Sequence, residues 1–276
     1  MYTSKMTFNS ISEIPAAIGR LPHPNAMQGG SENEGKSKSW DGGLGYKNAV
    51  KIAEQGGYWP EGTKAMQEAV LEIESLKTEG RLPAIDTDVA GYLPDIDAFL
   101  AGDPCHMYTE DEDASDSKPI ISIGVAVGRA GMVSQSEAVN RGAAILSVID
   151  DLENQGVRVE LWAIWYNKDG ARGVDYRTLI KRADEQWAPA SAAFALCHAA
   201  FSRRLMFRLA ETDEKLQAFC RGMGSGAPGK PEGIDIFFKR AGGDTDAGND
   251  NSRHYRTREG AMNRIIELTK HQLEEI

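Results

Sequence analysis

The stretches closest to known chemistry are fragments of it. Gly224–Lys230 (GSGAPGK) has the glycine and lysine spacing of a phosphate-binding P-loop, in which backbone amides cradle phosphates and the lysine reaches the terminal one. Pro231 stands where a magnesium-binding Ser or Thr is required. The flanking pattern is also helix then strand, the reverse of what that loop needs. Asp113–Ser117 (DASDS) fits the Asp-x-Ser-x-Ser spacing of a von Willebrand A metal site, but it precedes the apolar run that would be its strand. Asp244–Asp250 (DTDAGND) is acidic and turn-like, without the twelve-residue loop and closing glutamate of a calcium site. The five histidines form no ligand set, and His198 beside Cys197 lies in an apolar stretch, which reads as a core histidine. No Gly-x-Ser-x-Gly elbow and no His-Glu-x-x-His is present. The expectation is a protein that is not an enzyme and needs no metal or cofactor.

A second chemistry requires no catalytic group. Single-stranded nucleic acid is held by cations along its backbone and flat side chains for its bases, and arginine serves both ends. Lys36, Lys38 and Lys47 flank Trp40 and Tyr46 in a glycine-rich stretch. Arg158 to Arg208 holds nine bases against five acids. Within it, Arg172, Arg177, Lys181, Arg182, Arg203 and Arg204 are candidate DNA contacts. Arg177 and Lys181 are four apart, as are Arg204 and Arg208, so helices would put each pair on one face. Lys239 and Arg240 follow an apolar run, and Arg253, Tyr255, Arg256 and Arg258 form the densest basic stretch that contains an aromatic. Trp162, Trp165 and Trp187 read as core.

The elements that must position these residues are legible in the second half. Pro119–Val127 (PIISIGVAV) is a continuous apolar run, as in a buried strand. Ser134 and Glu137 make a capping-box signature for a helix to Gln155, stopped by Gly156. Val157–Tyr166 is a second buried strand, so the pair should be parallel in a βαβ unit. Tyr176–Arg182 is read as a short helix, Ala188–Glu211 as one long helix, Ile234–Arg240 as a third strand and Arg258–Glu275 as a terminal helix. Tyr46–Gln55 and Glu61–Glu79 have helical spacing, Val89–Leu93 reads as a short strand and Pro94–Leu100 as a helical turn or two. The fold class is therefore α/β, a mixed sheet with a βαβ unit in distantly von Willebrand A-like or Rossmann-like order, flanked by helices, and not an OB barrel. The organisation is an extended arm over 1–45, a helical portion over 46–109, an acidic loop over 110–117 and an α/β core over 118–276, forming one compact unit.

Composition narrows the partners. The 276 residues carry 41 acids and 31 bases, for a formal charge of −10. Ten acids and no base lie between Arg81 and Lys118, so the remaining 31 acids are matched by the 31 bases. The net charge belongs to one segment, and it does not exclude a polyanion as partner. No apolar run reaches the roughly 20 residues of a membrane span, and Met1–Lys5 lacks an apolar signal core. Three scattered cysteines suit a reducing compartment and make no disulfide framework.

Three further stretches carry a resemblance. They are Ser39–Ala49 with Gly57 and Glu61–Gly62, then Leu93–Met107 (LPDIDAFLAGDPCHM), then Asn140–Ile145 (NRGAAI). They resemble a phage-restricted family, and with this length the chain is similar to the single-stranded-DNA-binding RNA polymerase cofactors of podoviruses that carry a virion RNA polymerase. The resemblance covers most of residues 39–210 and implies a non-catalytic transcription cofactor acting on exposed DNA. It implies as partners single-stranded DNA and the phage RNA polymerase, in the cytoplasm of the infected bacterium. No DNA-contacting residue is carried over from it, and the candidate residues above rest on charge and aromatic pattern. Self-association is left open. The alternative expectation is a protein-interaction module with a degenerate von Willebrand A-like domain that ignores DNA.

Overall fold

One strand and then four helices open the chain, and the strand–helix–strand pattern begins after Pro119. The computed structural model describes residues 2–22, 30–34, 38–76, 87–88, 93–94, 100, 102, 104, 107–108, 119–128, 131, 133–169, 172–211, 216, 230–242 and 250–275. In chain order these give β1 (Tyr2–Phe8), α1 (Glu13–Gly19), α2 (Lys38–Asp41), α3 (Tyr46–Glu54) and α4 (Pro60–Leu76). Three two-residue strands follow, β2 (Thr87–Asp88), β3 (Leu93–Pro94) and β4 (Met107–Tyr108). Then come β5 (Ile120–Ala126), α5 (Gln135–Asn154), β6 (Arg158–Asp169), β7 (Arg172–Lys181) and α6 (Pro189–Cys197). A π-helical turn (Phe201–Met206) runs directly into α7 (Phe207–Glu211). The chain closes with β8 (Ile236–Phe238), β9 (Ala241–Gly242), β10 (Asp250–Asn251), a 3-10 turn (Ser252–Tyr255) and α8 (Arg258–Leu273).

The main sheet has the order β1-β7-β6-β5-β8. β5 is parallel to both β6 and β8, β6 and β7 are antiparallel, and β1 is parallel to β7. This is the mixed α/β sheet expected from the sequence, and the βαβ unit is β5-α5-β6. The capping box forms as read: the Glu137 N–H donates to Ser134 Oγ at 3.2 Å, and the Ser134 N–H donates to Glu137 Oε2 at 2.7 Å. Gly156 ends the helix at φ +87°, a conformation that costs an L side chain strain.

Side chains alternate across each strand. Val159, Leu161, Ala163 and Trp165 of β6 join the main core with α4, α5, α6 and α8, whereas Ile164, with Ala126, Ile234 and Phe237, makes a smaller cluster on the opposite face. Trp165 is buried, as expected, between Tyr176 (5.5 Å) and Phe207 (5.2 Å). Where α4, α5 and α6 meet, a Cβ on Gly142 would come within 2.7 Å of Cys197 Sγ and 2.9 Å of Met66 Cε. Gly142→Ala is expected to destabilise the fold by about 1–3 kcal/mol through overpacking. The measurement is a lower urea midpoint with an unchanged m-value.

Three expectations are corrected. Tyr176–Arg182 is no helix, since residues through Lys181 belong to β7. Val174, Tyr176, Thr178 and Ile180 are β-branched or aromatic at alternate positions, and that period outweighs the four-residue spacing of Arg177 and Lys181. Ala188–Glu211 is not one helix. His198 takes an extended conformation (φ −86°, ψ 126°), so α6 ends at Cys197 and the π-helical turn begins at Phe201. Residues 2–8 are no free arm but a strand of the main sheet, with Met6 and Phe8 packed on the core. Val89–Leu93 and Pro94–Leu100 lie largely outside the described residues. Among the described residues, no helix is long and apolar enough to cross a membrane.

Candidate nucleic-acid interface

β5 leads through α5 to β6 on one side, while β8 flanks it on the other. The strand order therefore reverses between β5 and β8, and α/β sheets of this kind open a crevice at the carboxyl ends of such strands. Gly128 leaves β5 at φ +100°, and a Cβ there would lie 3.5 Å from Ser202 Oγ and 4.0 Å from Arg240 Cδ. The carboxyl end of β5, the π-helical turn and the residues after β8 thus meet. The Asp250 N–H donates to the Arg240 carbonyl at 2.8 Å and β10 pairs with β9, which draws 250–256 to the same end.

This crevice gathers candidates that are far apart in sequence. Burial lowers the pKa of Arg203, the like charge of Arg240 lowers it further, and Asp41 opposes both. Arg203 also donates to the carbonyl of Trp40. The half-buried Trp40 ring carries the Arg204 guanidinium 4.9 Å over it and meets the edge of Phe207 at 6.2 Å. Arg203 therefore touches Trp40, and Arg240 borders Gly128 at the same end of the sheet. Arg253 and Arg256 are exposed, with Arg256 3.7 Å from Glu137, whereas exposed Lys239 lines a separate groove with Arg264 and Gln272 of α8.

Other candidates are withdrawn from the surface. Arg204 is 1% exposed and grips Asp41, Nε to Oδ2 at 2.7 Å, while Nη1 donates to the carbonyls of Ser31 (2.7 Å) and Asn33 (2.9 Å). One turn on, buried Arg208 pairs with Glu32 and donates to the Pro22 carbonyl at 3.0 Å. Glu211 accepts from the Ser31 N–H at 2.9 Å and from its hydroxyl. The three side chains fasten residues 31–33 and Asp41 to the π-turn and α7. Burial would raise the Asp41 carboxyl, but Arg204 and the N–H groups of Gly43 and Gly45 outweigh it and hold the carboxyl below its ordinary range.

Lys181 is 1% exposed and its Nζ meets Glu153 at 2.5 Å, with the Val159 and Arg182 carbonyls beside it. The register of β6 and β7 slips here, Leu161 facing Lys181 and Trp162 facing Leu179. That bulge turns Lys181 to the helix face while Arg177 stays on the other. Arg177 grips Asp175 through two 2.8 Å bonds and donates to the Glu232 carbonyl. Tyr255 is fully buried and donates to Asp250, so it is no stacking platform; burial pushes its phenol far above the ordinary range. Arg258 pairs with Glu72 of α4 and serves helix packing. Arg182 is exposed 3.7 Å from Glu185, away from the crevice. Tyr46 is half-buried against Arg208, with its phenol raised by burial and by Glu32, and Lys47 is exposed on α3. Lys36 and the side chains of Lys38 and Arg172 lie outside the described residues.

His198 is a satisfied core histidine: its Nδ1 accepts from the Ala200 N–H at 3.1 Å and its ring meets Trp59 edge-on at 4.5 Å. Among the described residues, no group of three His, Cys, Asp or Glu could hold a metal ion. The DASDS stretch and most of GSGAPGK lie outside the described residues.

One residue of this end was missed in the sequence. Arg141 is 4% exposed, donates from Nη2 to the carbonyls of Phe238 (3.1 Å) and Lys239 (2.7 Å), and lies 5.9 Å from the Tyr255 ring centre. The available signal was its standing as the single base of α5, between Val139 and Ala143 on a helix of small and apolar residues.

A family model described as a domain of unknown function (DUF7192) matches residues 2–263. No curated protein and no solved structure matches the chain.

Proposed function

From a chain that belongs to the DUF7192 family of domains of unknown function, we propose a single-stranded-DNA-binding protein that assists a phage RNA polymerase in transcription without catalysing a step itself. Its setting in this reading is the cytoplasm of the infected host. The observation that carries it is that Arg203 bonds the Trp40 carbonyl while Ser202 and Arg240 border Gly128, so that both arginines stand at the carboxyl ends of β5 and β8. Two neighbouring guanidiniums repel one another, and an anion between them relieves that repulsion. A half-buried indole beside them is a flat surface for an unpaired base, the second requirement of single-strand binding. Arg253 and Arg256 extend the positive rim. Among the described residues, Asp41 pairs with Arg204, Asp250 with Arg264, and Glu137 closes its helix cap and meets Arg256.

The test is fluorescence anisotropy of a labelled oligonucleotide, single-stranded and duplex, at 50 and 200 mM salt. Four phosphate contacts give an expected loss of about 50-fold in single-strand affinity over that range, with duplex bound more weakly throughout. Equal, weak binding of both forms at low salt would refute the reading.

A further inference from the structure

We infer that the crevice between β5 and β8 holds a discrete oxyanion pocket, with Arg141 at its floor and Arg240 beside its Gly128 wall, which takes one oxygen of a phosphoryl group. The inference rests on the reading of this crevice as the place of DNA phosphate, and it adds a residue and a ligand group to it.

Three observations converge. First, a cavity of about 10 Å³ is lined by Gly128, Val133, Arg141, Cys197, His198 and Ala241, among others. That is the space of one water-sized oxygen, so a phosphoryl group could lodge a single oxygen there and keep its other atoms outside. Second, Arg141 lines this cavity while 4% exposed, and its buried Nε has no acceptor. Its bonds go to two backbone carbonyls and it also meets the Tyr255 hydroxyl, which donates to Asp250; among the described residues no carboxylate pairs with it directly. A buried guanidinium with only neutral acceptors carries an uncompensated desolvation cost. An oxyanion at Nε removes both the orphan donor and the unbalanced charge. Third, Ser202 Oγ and Arg240 Cδ stand 3.5 and 4.0 Å from the position of a Gly128 Cβ. Ser202 and Arg240 therefore border the Gly128 wall of the cavity at ordinary contact distance. A von Willebrand A domain would hold a cation at the carboxyl end of this strand; here the fixed charges are arginines, and the complementary ligand is an anion.

The probe is inorganic phosphate, titrated by calorimetry into the full chain at constant ionic strength, with chloride as the control anion. Phosphate is expected to bind one per chain and to raise the melting temperature where chloride does not. Arg240→Gln, beside the Gly128 wall, is expected to weaken phosphate at least fivefold, a loss read against the melting temperature of the free variant. Arg141→Lys keeps the charge and removes Nε, and should weaken it further; if that variant fails to fold, Arg240→Gln decides. Equal effects of phosphate and chloride would show an adventitious ion only and overturn the pocket, as would undiminished phosphate binding in Arg240→Gln. Oligonucleotides with a 5′-phosphate or a 5′-hydroxyl separate the sources. Stronger competition by the phosphorylated strand assigns the pocket to a DNA end, and equal competition assigns it to the internal backbone. Phosphate binding without oligonucleotide binding keeps the pocket and removes the DNA reading. Oligonucleotide binding without phosphate binding does the reverse.

Discussion

Replacing Arg204 by methionine is expected to destabilise the protein by about 3–5 kcal/mol, the cost of leaving one partner of a buried pair uncompensated. Asp41 is 2% exposed and would keep only the Gly43 and Gly45 N–H groups, at 2.8 and 3.0 Å. The carbonyls of Ser31 and Asn33 would also lose their shared donor. Urea unfolding of the two proteins side by side measures the loss. The same pair sets an acid dependence. Because the folded Asp41 carboxyl lies below its ordinary value of 3.8, its ionised form stabilises the fold above that pH. This contribution fades as pH falls through the lower folded value. The acid limb of stability below about pH 4 is expected to flatten in Arg204→Met. A variant as stable as the parent, with the same acid limb, would mean that the clasp contributes nothing net.

The double change Arg203→Gln and Arg240→Gln is expected to lower single-stranded DNA affinity about 100-fold at 50 mM salt. Each charge-assisted contact is worth at least about 1.5 kcal/mol. The slope of log affinity against log salt should shrink by about 1.4, two phosphate contacts at roughly 0.7 each. Urea unfolding of the double variant, run alongside, separates the loss of internal contacts such as the bond from Arg203 to the Trp40 carbonyl from the loss of DNA contacts. By contrast, Arg177→Gln should leave the slope alone, because Arg177 is held by Asp175 and Glu232 on the other face of the sheet. Should Arg177→Gln and the double variant exchange these results, the interface would lie on that other face.

Much of the scaffold was legible in residue order because its causes are local. The β5 run, the Ser134–Glu137 box and the Gly156 stop lie within about 40 residues, and each acts on its immediate neighbours. The β7 strand was misread because two bases four apart suggested a helix face, whereas Val174, Tyr176 and Thr178 were already alternating toward the core. The broken helix at His198 had no such cue, because apolar residues continue on both sides of it.

Of the site, the sequence by itself determined the supply: where arginines, lysines and a tryptophan stand, and that the net charge belongs to the stretch between Arg81 and Lys118. Only the tertiary structure decided which of them are available. Arg203 and Arg204 are adjacent in the chain, yet one reaches Trp40 and the neighbourhood of Arg240 while the other is sealed against Asp41. The reason is physical. The carboxylate that fixes Arg204 comes from 163 residues away in the chain. Burial and pairing at that distance are properties of packing, which local spacing does not encode.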